Sequence, residues 1–258
     1  MTFISVSIKV VSLSALVALV IAVSGADAPN TAHHIRAREA LLDHGSLRAF
    51  DQVNTLNGIL KVDRSRAYEG AGSARASTRG QGNAYSRGLF NVGWQTGDDV
   101  WYGAAYLIPD RFFSMMQGQV DLLRWDDFPS DRVTTDRSGI ALFEGDHRAH
   151  LVRQRLGVEL ATLAEPFDLP ANRWFWLEVH QHLSSGDDAL SEVYIDGRLV
   201  ASGTEPNTYG RSVRRVRYGI VAVDAQRQRH WLTLWFDRAT AGTRSRGPLS
   251  TPTRPTAR

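Results

Sequence analysis

The 258-residue chain contains no cysteine, so its fold must rest on a buried core rather than on disulfides, and zinc sites built on thiolates are excluded. Lysine is almost missing as well: Lys9 and Lys61 stand alone, and every other basic residue is arginine. Arginine makes bidentate contacts to carboxylates and sulfates, which suits an acidic polysaccharide; a GC-rich genome produces the same bias and is the plainer account. Net charge is scarce too. A formal +3 gives no reason to expect nucleic acid as a partner. No apolar run reaches the ~20 residues that span a bilayer. The longest, Val10 to Val23, follows Lys9 and precedes Ser24, Gly25 and Ala26, the layout of a signal peptide cleaved after Ala26. The expectation is an exported protein without stable membrane insertion.

What is present is a core-sized apolar fraction, 43%, in a length that suits one large domain. Residues 27–45 are polar and read as a lead-in, with Arg36 to Asp43 made of good helix formers that favour a short helix. From residue 46 to 239, short β-branched and aromatic segments alternate with turns of Gly, Asp, Asn and Pro, and no long helical period is evident. The strands expected are Val100 to Ile108, Gln119 to Trp125, Gly139 to Phe143, His150 to Leu156, Trp174 to Leu183, Glu192 to Ile195, Val216 to Val223 and Trp231 to Phe236. Asp196-Gly197 supplies the positive φ of a type I′ hairpin turn. Residues 240–258 lack apolar periodicity and read as a disordered tail.

The segment Arg173 to Leu183 carries the clearest chemical signal. Period two puts Phe175, Leu177, Val179 and Leu183 on one face, broken only by Gln181, and Trp174, Trp176, Glu178, His180 and His182 on the other. Aromatic platforms beside groups that titrate near neutral pH suit a carbohydrate cleft. The plain alternative is a half-solvated strand whose polar side faces water.

Four segments taken together resemble a family: Tyr68 to Ala76, Asp99 to Pro109, Asn172 to His182 and Val193 to Val200. They are similar to the concanavalin A-like jelly rolls, and in order and spacing to the heparin lyase I-like polysaccharide lyases. The resemblance implies an all-β, two-sheet antiparallel jelly-roll sandwich, one sheet concave and lined with substrate-binding residues. It also implies β-elimination on a uronic-acid polymer, in which a cationic or amide group masks the uronate carboxylate, a base takes the C5 proton and an acid protonates the leaving oxygen. Three places depart from the family pattern. Arg124-Trp125-Asp126 stands where Gln-Trp-His is usual, Arg87-Gly88-Leu89 keeps an arginine but loses a carboxylate, and Tyr218-Gly219-Ile220-Val221 shortens a tyrosine motif.

The expected site follows. Arg124 and Arg87 bind the substrate carboxylate, His180 or His182 is the base, and Tyr102 or Tyr106 the acid, with Trp174, Trp176, Glu178, Asp126 and Tyr218 as further substrate contacts. A non-catalytic lectin-like module is the competing reading, and a protein-contact domain the third. Glu178 with Asp126 would serve as the carboxylate pair of a hydrolase, although the Glu-x-Asp-x-x-Glu pattern of related glucanases is missing. Arg124 with Asp126 also fits a structural ion pair. Glu144, Asp146 and His147 are a short candidate metal cluster, and Asp237 a candidate for a structural calcium. The expected partner is an acidic polysaccharide met by a monomer.

Overall fold

The computed structural model describes residues 37–40, 42, 46–79, 84–126, 136–155, 159–209, 212–223 and 228–248. The leader expected over residues 1–26 and most of the lead-in lie outside them. In chain order the strands are β1 (Arg38–Ala40), β2 (Gln52–Leu56), β3 (Gly58–Asp63), β4 (Ser73–Thr78), β5 (Ala84–Trp94), β6 (Asp99–Leu107), β7 (Gln119–Asp126) and β8 (Asp136–Phe143). There follow β9 (Asp146–Arg155), β10 (Glu159–Thr162), β11 (Phe167–Asp168), β12 (Trp174–His182), β13 (Leu190–Ile195), β14 (Arg198–Gly203), β15 (Val213–Ala222) and β16 (Leu232–Gly242). A short α-helix, α1 (Asp110–Met115), leaves β6 directly after Pro109.

Period-two patterning builds two antiparallel sheets. The front sheet runs β10-β9-β8-β7-β15-β5-β2 and the back sheet β14-β13-β12-β6-β16-β4-β3, with β11 and β1 added to β9 and β16. Their inner faces form one core that includes Phe90, Trp125 and Tyr218 from the front and Tyr106, Phe175 and Phe236 from the back. This is the all-β sandwich expected from the sequence. The hairpin at Asp196-Gly197 is also as expected: φ is 52° and 78° at the two turn residues, and Ile195 pairs Arg198.

Gln181, the one polar interruption on the inner face of β12, explains itself by its bonds. Its Oε1 accepts from Tyr102 Oη at 2.9 Å and from Trp125 Nε1 at 2.6 Å, while its Nε2 donates to Ser191 Oγ at 3.0 Å. One fully buried amide therefore has three satisfied bonds, two within the back sheet and one, from Trp125, that ties it to the front.

Two expectations about the ends are corrected. Arg38–Ala40 is a strand on β16, not part of a helix, because pairing with Ala239 to Ala241 satisfies its backbone groups and buries Ala40. The tail does not begin at Thr240: Thr240 to Gly242 complete β16, and the next residues cross the outer face of β12. There Ser245 Oγ donates to Glu178 Oε2 at 2.7 Å and the Arg246 amide to Glu178 Oε1 at 2.9 Å. The expected tail from 249 on lies outside the described residues. Among the described residues no helix is long and apolar enough to cross a membrane.

Cutting the chain after Gly242 removes both donors to the Glu178 carboxylate. Charge-assisted bonds contribute about 2 kcal/mol or more, so thermal denaturation of the shortened protein is expected roughly 4–8 °C below the full chain. Equal melting temperatures would show that this segment does not hold the sheet.

Candidate active site

The residues expected to form one site divide between three places. His180, His182, Trp174, Trp176 and Glu178 lie on the outer face of the back sheet, whereas Arg87, Arg124 and Asp126 lie on the outer face of the front sheet. Tyr102, Tyr106 and Tyr218 sit between the sheets with no exposure at all. A single cleft holding all three groups is thus ruled out, as is a hydrolase pair of Glu178 with Asp126.

Each misplaced group has a structural role. Tyr106 and Tyr218 hydroxyls donate to Leu122 O and Thr240 O, and burial pushes the tyrosines well above their ordinary range, so they do not trade protons near neutral pH. Trp176 is fully buried under the ring of Tyr68 and the Arg238 guanidinium, leaving no face for a sugar. Trp174 packs on Tyr68 as well. His180 stacks on Trp101 with ring centroids 4.2 Å apart and bonds Glu192 through Nδ1 at 2.8 Å. His182 bonds Asp99 at 3.2 Å.

The metal expectations fare no better. Asp237 accepts from the amides of Tyr68, Glu69 and Arg238. A carboxylate wrapped by N–H donors does not suit calcium, which takes oxygen ligands. Asp146 is turned to the Arg148 amide and to His150, and Glu144 to the Gly118 amide; among the described residues no cluster of three metal-ligating side chains forms.

The front face carries a different assembly. Strand β7 contains a bulge at Asp121 to Leu123 that lets Leu122 and Leu123 both enter the core, and so returns Asp121 to the outer face shared by Arg124 and Asp126. On the adjoining strands, Arg217 pairs across from Arg124, and Arg137 across from Asp126. Gly219, at φ 129°, lies across from Arg87; a Cβ there would stand 2.3 Å from Ser86 O. A glycine is required at that point for the strands to close up.

Arg124 reaches Asp121 at 3.0 Å and Asp126 at 3.6 Å. Arg217 donates to Asp126 Oδ1 at 3.0 Å and pairs with its Oδ2 at 2.8 Å, and Arg137 reaches Asp121 at 3.4 Å while bonding Gln154. The ion pair of Arg124 with Asp126 foreseen in the sequence therefore exists, inside a larger network. Arg87 is unlike the rest. Among the described residues it makes no hydrogen bond and no ion pair; its Nε, like that of Arg124, is buried and unsatisfied, and its guanidinium lies 4.1 Å over the ring of Tyr85.

Four guanidinium groups thus face two carboxylates, all less than a tenth exposed. The excess of positive charge has a visible consequence. Burial, and then the charges of Arg217 and Arg124, hold Arg87 far below the ordinary guanidinium range, at about 8, with Asp126 partly opposing. Arg217 is lowered to about 10, again mainly by burial. An anion placed here would satisfy Arg87 and relieve the repulsion.

Sequence reasoning missed Asp121, Arg137, Arg217, Gln154 and Tyr85. The alternation Arg215, Val216, Arg217, Tyr218 was a usable signal for Arg217. Asp121 had none, since its spacing of three from Arg124 implies opposite faces until the bulge is known.

The sequence matches the family model described as polysaccharide lyase over residues 42–240. Among curated protein sequences none matches. The fold is similar to the endo-β-1,4-glucuronan lyase of the fungus Trichoderma reesei, with a TM-score of 0.63 at 16% identity over 81% of this chain and 95% of that one. It is also similar to the cellulose induced protein Cip1, at 0.57 and 16% over 81% and 98%. The alginate lyase Aly36B gives 0.54 and 8% over 80% and 96%.

Two substitutions test the charge imbalance in opposite directions. Asp126→Asn strips Arg217 and Arg124 of their shared carboxylate and is expected to cost about 3–5 kcal/mol. Arg87→Met removes the unsatisfied cation and is expected to raise the melting temperature by several degrees. Burial and the neighbouring cations disfavour the charged form of Arg87, and thermal melts of Arg87→Met beside the unaltered protein check the sign.

Proposed function

Because the chain belongs to the polysaccharide lyase family, we propose that its front face cleaves a uronic-acid-containing polysaccharide by β-elimination. The observation that carries this reading is the buried arginine network with its uncompensated positive charge. A uronate carboxylate is the anion such a site would select, and masking its charge is what makes the C5 proton removable. The narrower likeness to heparin lyase I-like enzymes belongs to the same reading, supported by the four sequence segments, as do the uronate polymers named for the glucuronan and alginate lyases of similar fold.

In this mechanism Arg87 and Arg124 hold the carboxylate, with Arg217 and Arg137 behind them. The C5–H bond breaks as its proton passes to the ionised Tyr85 oxygen, whose negative form the Arg87 guanidinium favours; the electron pair forms the C4–C5 double bond, and the C4–O bond breaks as the leaving oxygen takes that proton from Tyr85. No water, oxidant or reductant is consumed. Tyr85 is the proton carrier, since it is the phenol on this face in contact with Arg87. His150 lies on the same face but its Nε2 is engaged with Asp146 at 2.9 Å. Export of a monomer belongs to the same proposal, with the leader-like residues 1–26 supporting export.

One observation favours the lectin-like alternative. Asp126 stands where a histidine is usual and is fully committed to Arg217 and Arg124, so no base arises at that position.

Incubation with polyglucuronate, alginate, heparin and neutral cellulose oligomers, followed by the absorbance of new unsaturated ends, separates the two. The lyase reading expects product from an acidic polymer only. Arg124→Ala should abolish turnover and remove binding at the front face, while Tyr85→Phe should lower turnover at least 100-fold and leave binding within about twofold; His150→Ala should stay near wild type. Binding of acidic glycan without product at any pH would leave the lectin.

A further inference from the structure

The opposite side of the sandwich holds a second cationic groove. On the outer faces of β3, β4 and β16, Ile59, Ser77 and Thr233 form one cross-strand row and Lys61, Arg75 and Trp235 the next. Ser77 and Thr233 hydroxyls bond each other at 2.9 Å and make a low floor. Ile59 and Trp231 rise from it with 50% and 44% of their surfaces exposed, and Arg111 and Met115 of α1 close the far side around about 400 Å³.

The groove continues both ways. Lys61 and Arg75 also line the adjoining depression with Asp63 and Arg64, and Arg111 also lines the next one with Arg66 and Trp235. Arg66 lies 4.6 Å over the Trp235 ring. Along this path five cations, Lys61, Arg64, Arg66, Arg75 and Arg111, outnumber the carboxylates Asp63 and Asp110. Asp63 is moreover occupied, accepting from Ser65 and from Trp235 Nε1.

An exposed indole beside an exposed isoleucine gives sugar C–H groups a flat apolar surface. Cations spaced along an open groove suit charges that repeat along a chain. We infer that this groove is a second, non-catalytic binding site for an anionic polysaccharide, holding the polymer while the front face acts; the identity of the polymer class rests on the function proposed above. Trp231 is the stacking platform, and Lys61, Arg75 and Arg111 contact the acidic groups.

The test is affinity electrophoresis of the full chain through gels containing polyglucuronate, alginate or neutral hydroxyethyl cellulose, at low and high salt. Arg124→Ala silences the front face, so residual retardation reports the back groove. In that background Trp231→Ala with Lys61→Ala and Arg111→Ala, all exposed positions, should weaken retention in the acidic gels about tenfold, a loss of roughly 1.4 kcal/mol, with unchanged thermal melting. Retention by the unaltered groove should fall at high salt. The triple substitution alone should leave turnover of short acidic oligosaccharides intact and slow that of long polymer. Equal retention with and without the triple substitution overturns the inference, as does equal retention in the neutral gel. Retardation by DNA in preference to every glycan would assign the groove to nucleic acid instead. Absence of unsaturated product from any substrate would sink the front-face lyase and leave the gel result for the groove standing.

Discussion

The carboxylate of Asp126 is the interaction on which the front face depends. Four buried guanidinium groups within one patch repel one another, and in a poorly hydrated setting that repulsion is only weakly screened. Asp126, with no exposed surface, takes Arg217 and Arg124 on its two sides, and Asp121 takes Arg124 and Arg137. Two carboxylates suffice to hold the cluster and are too few to neutralise it. The remainder falls on Arg87, which has only the face of Tyr85 for company. A fully balanced network would be a structural brace; this one is left two negative charges short.

The core makes that placement rigid. The inner residues of β7 lock into the Gln181 amide through Trp125, and Gln181 in turn holds Tyr102 and Ser191 of the back sheet. The outer residues of β7, Arg124 and Asp126, are one position away from Trp125 on either side. Their positions are thus fixed by a buried polar junction as well as by apolar packing, and small shifts of β7 would break bonds on both of its faces.

The back sheet behaves differently along its width. Over β12 it is sealed: Tyr68 and Arg238 cover Trp176, and the residues after β16 cap Glu178. Over β3 and β4 it is open, with short hydroxyl side chains as a floor and cations at the edges. The most chemically suggestive strand of the sequence is therefore spent on closing the fold, and the open groove lies three and four strands away.

The sequence by itself determined the sandwich. Alternation of apolar and polar residues at period two, Asp-Gly at a hairpin and turn residues between short runs are local signals, and each reports what a strand does to its own neighbours. It also grouped Arg87, Arg124 and Asp126 in one site, but together with residues of the opposite sheet. What it could not decide was which sheet a strand joins, since β12 and β7 carry equally good amphipathic patterns and nothing in either names its partner. Only strand pairing put His180 and Arg124 on opposite sides of the molecule. Nor does alternation say whether the polar face of a strand meets water: Glu178 reads as a surface carboxylate until Ser245 and Arg246, 67 and 68 residues on, lie across it. Tyr102, Tyr106 and Tyr218 read as available acids because a phenol looks alike on either face, and the tertiary fold buried all three. The bulge at Asp121 was hidden for the same reason: one extra residue changes which face a side chain occupies, and it is specified by how the neighbouring strands pack rather than by the residues that bulge.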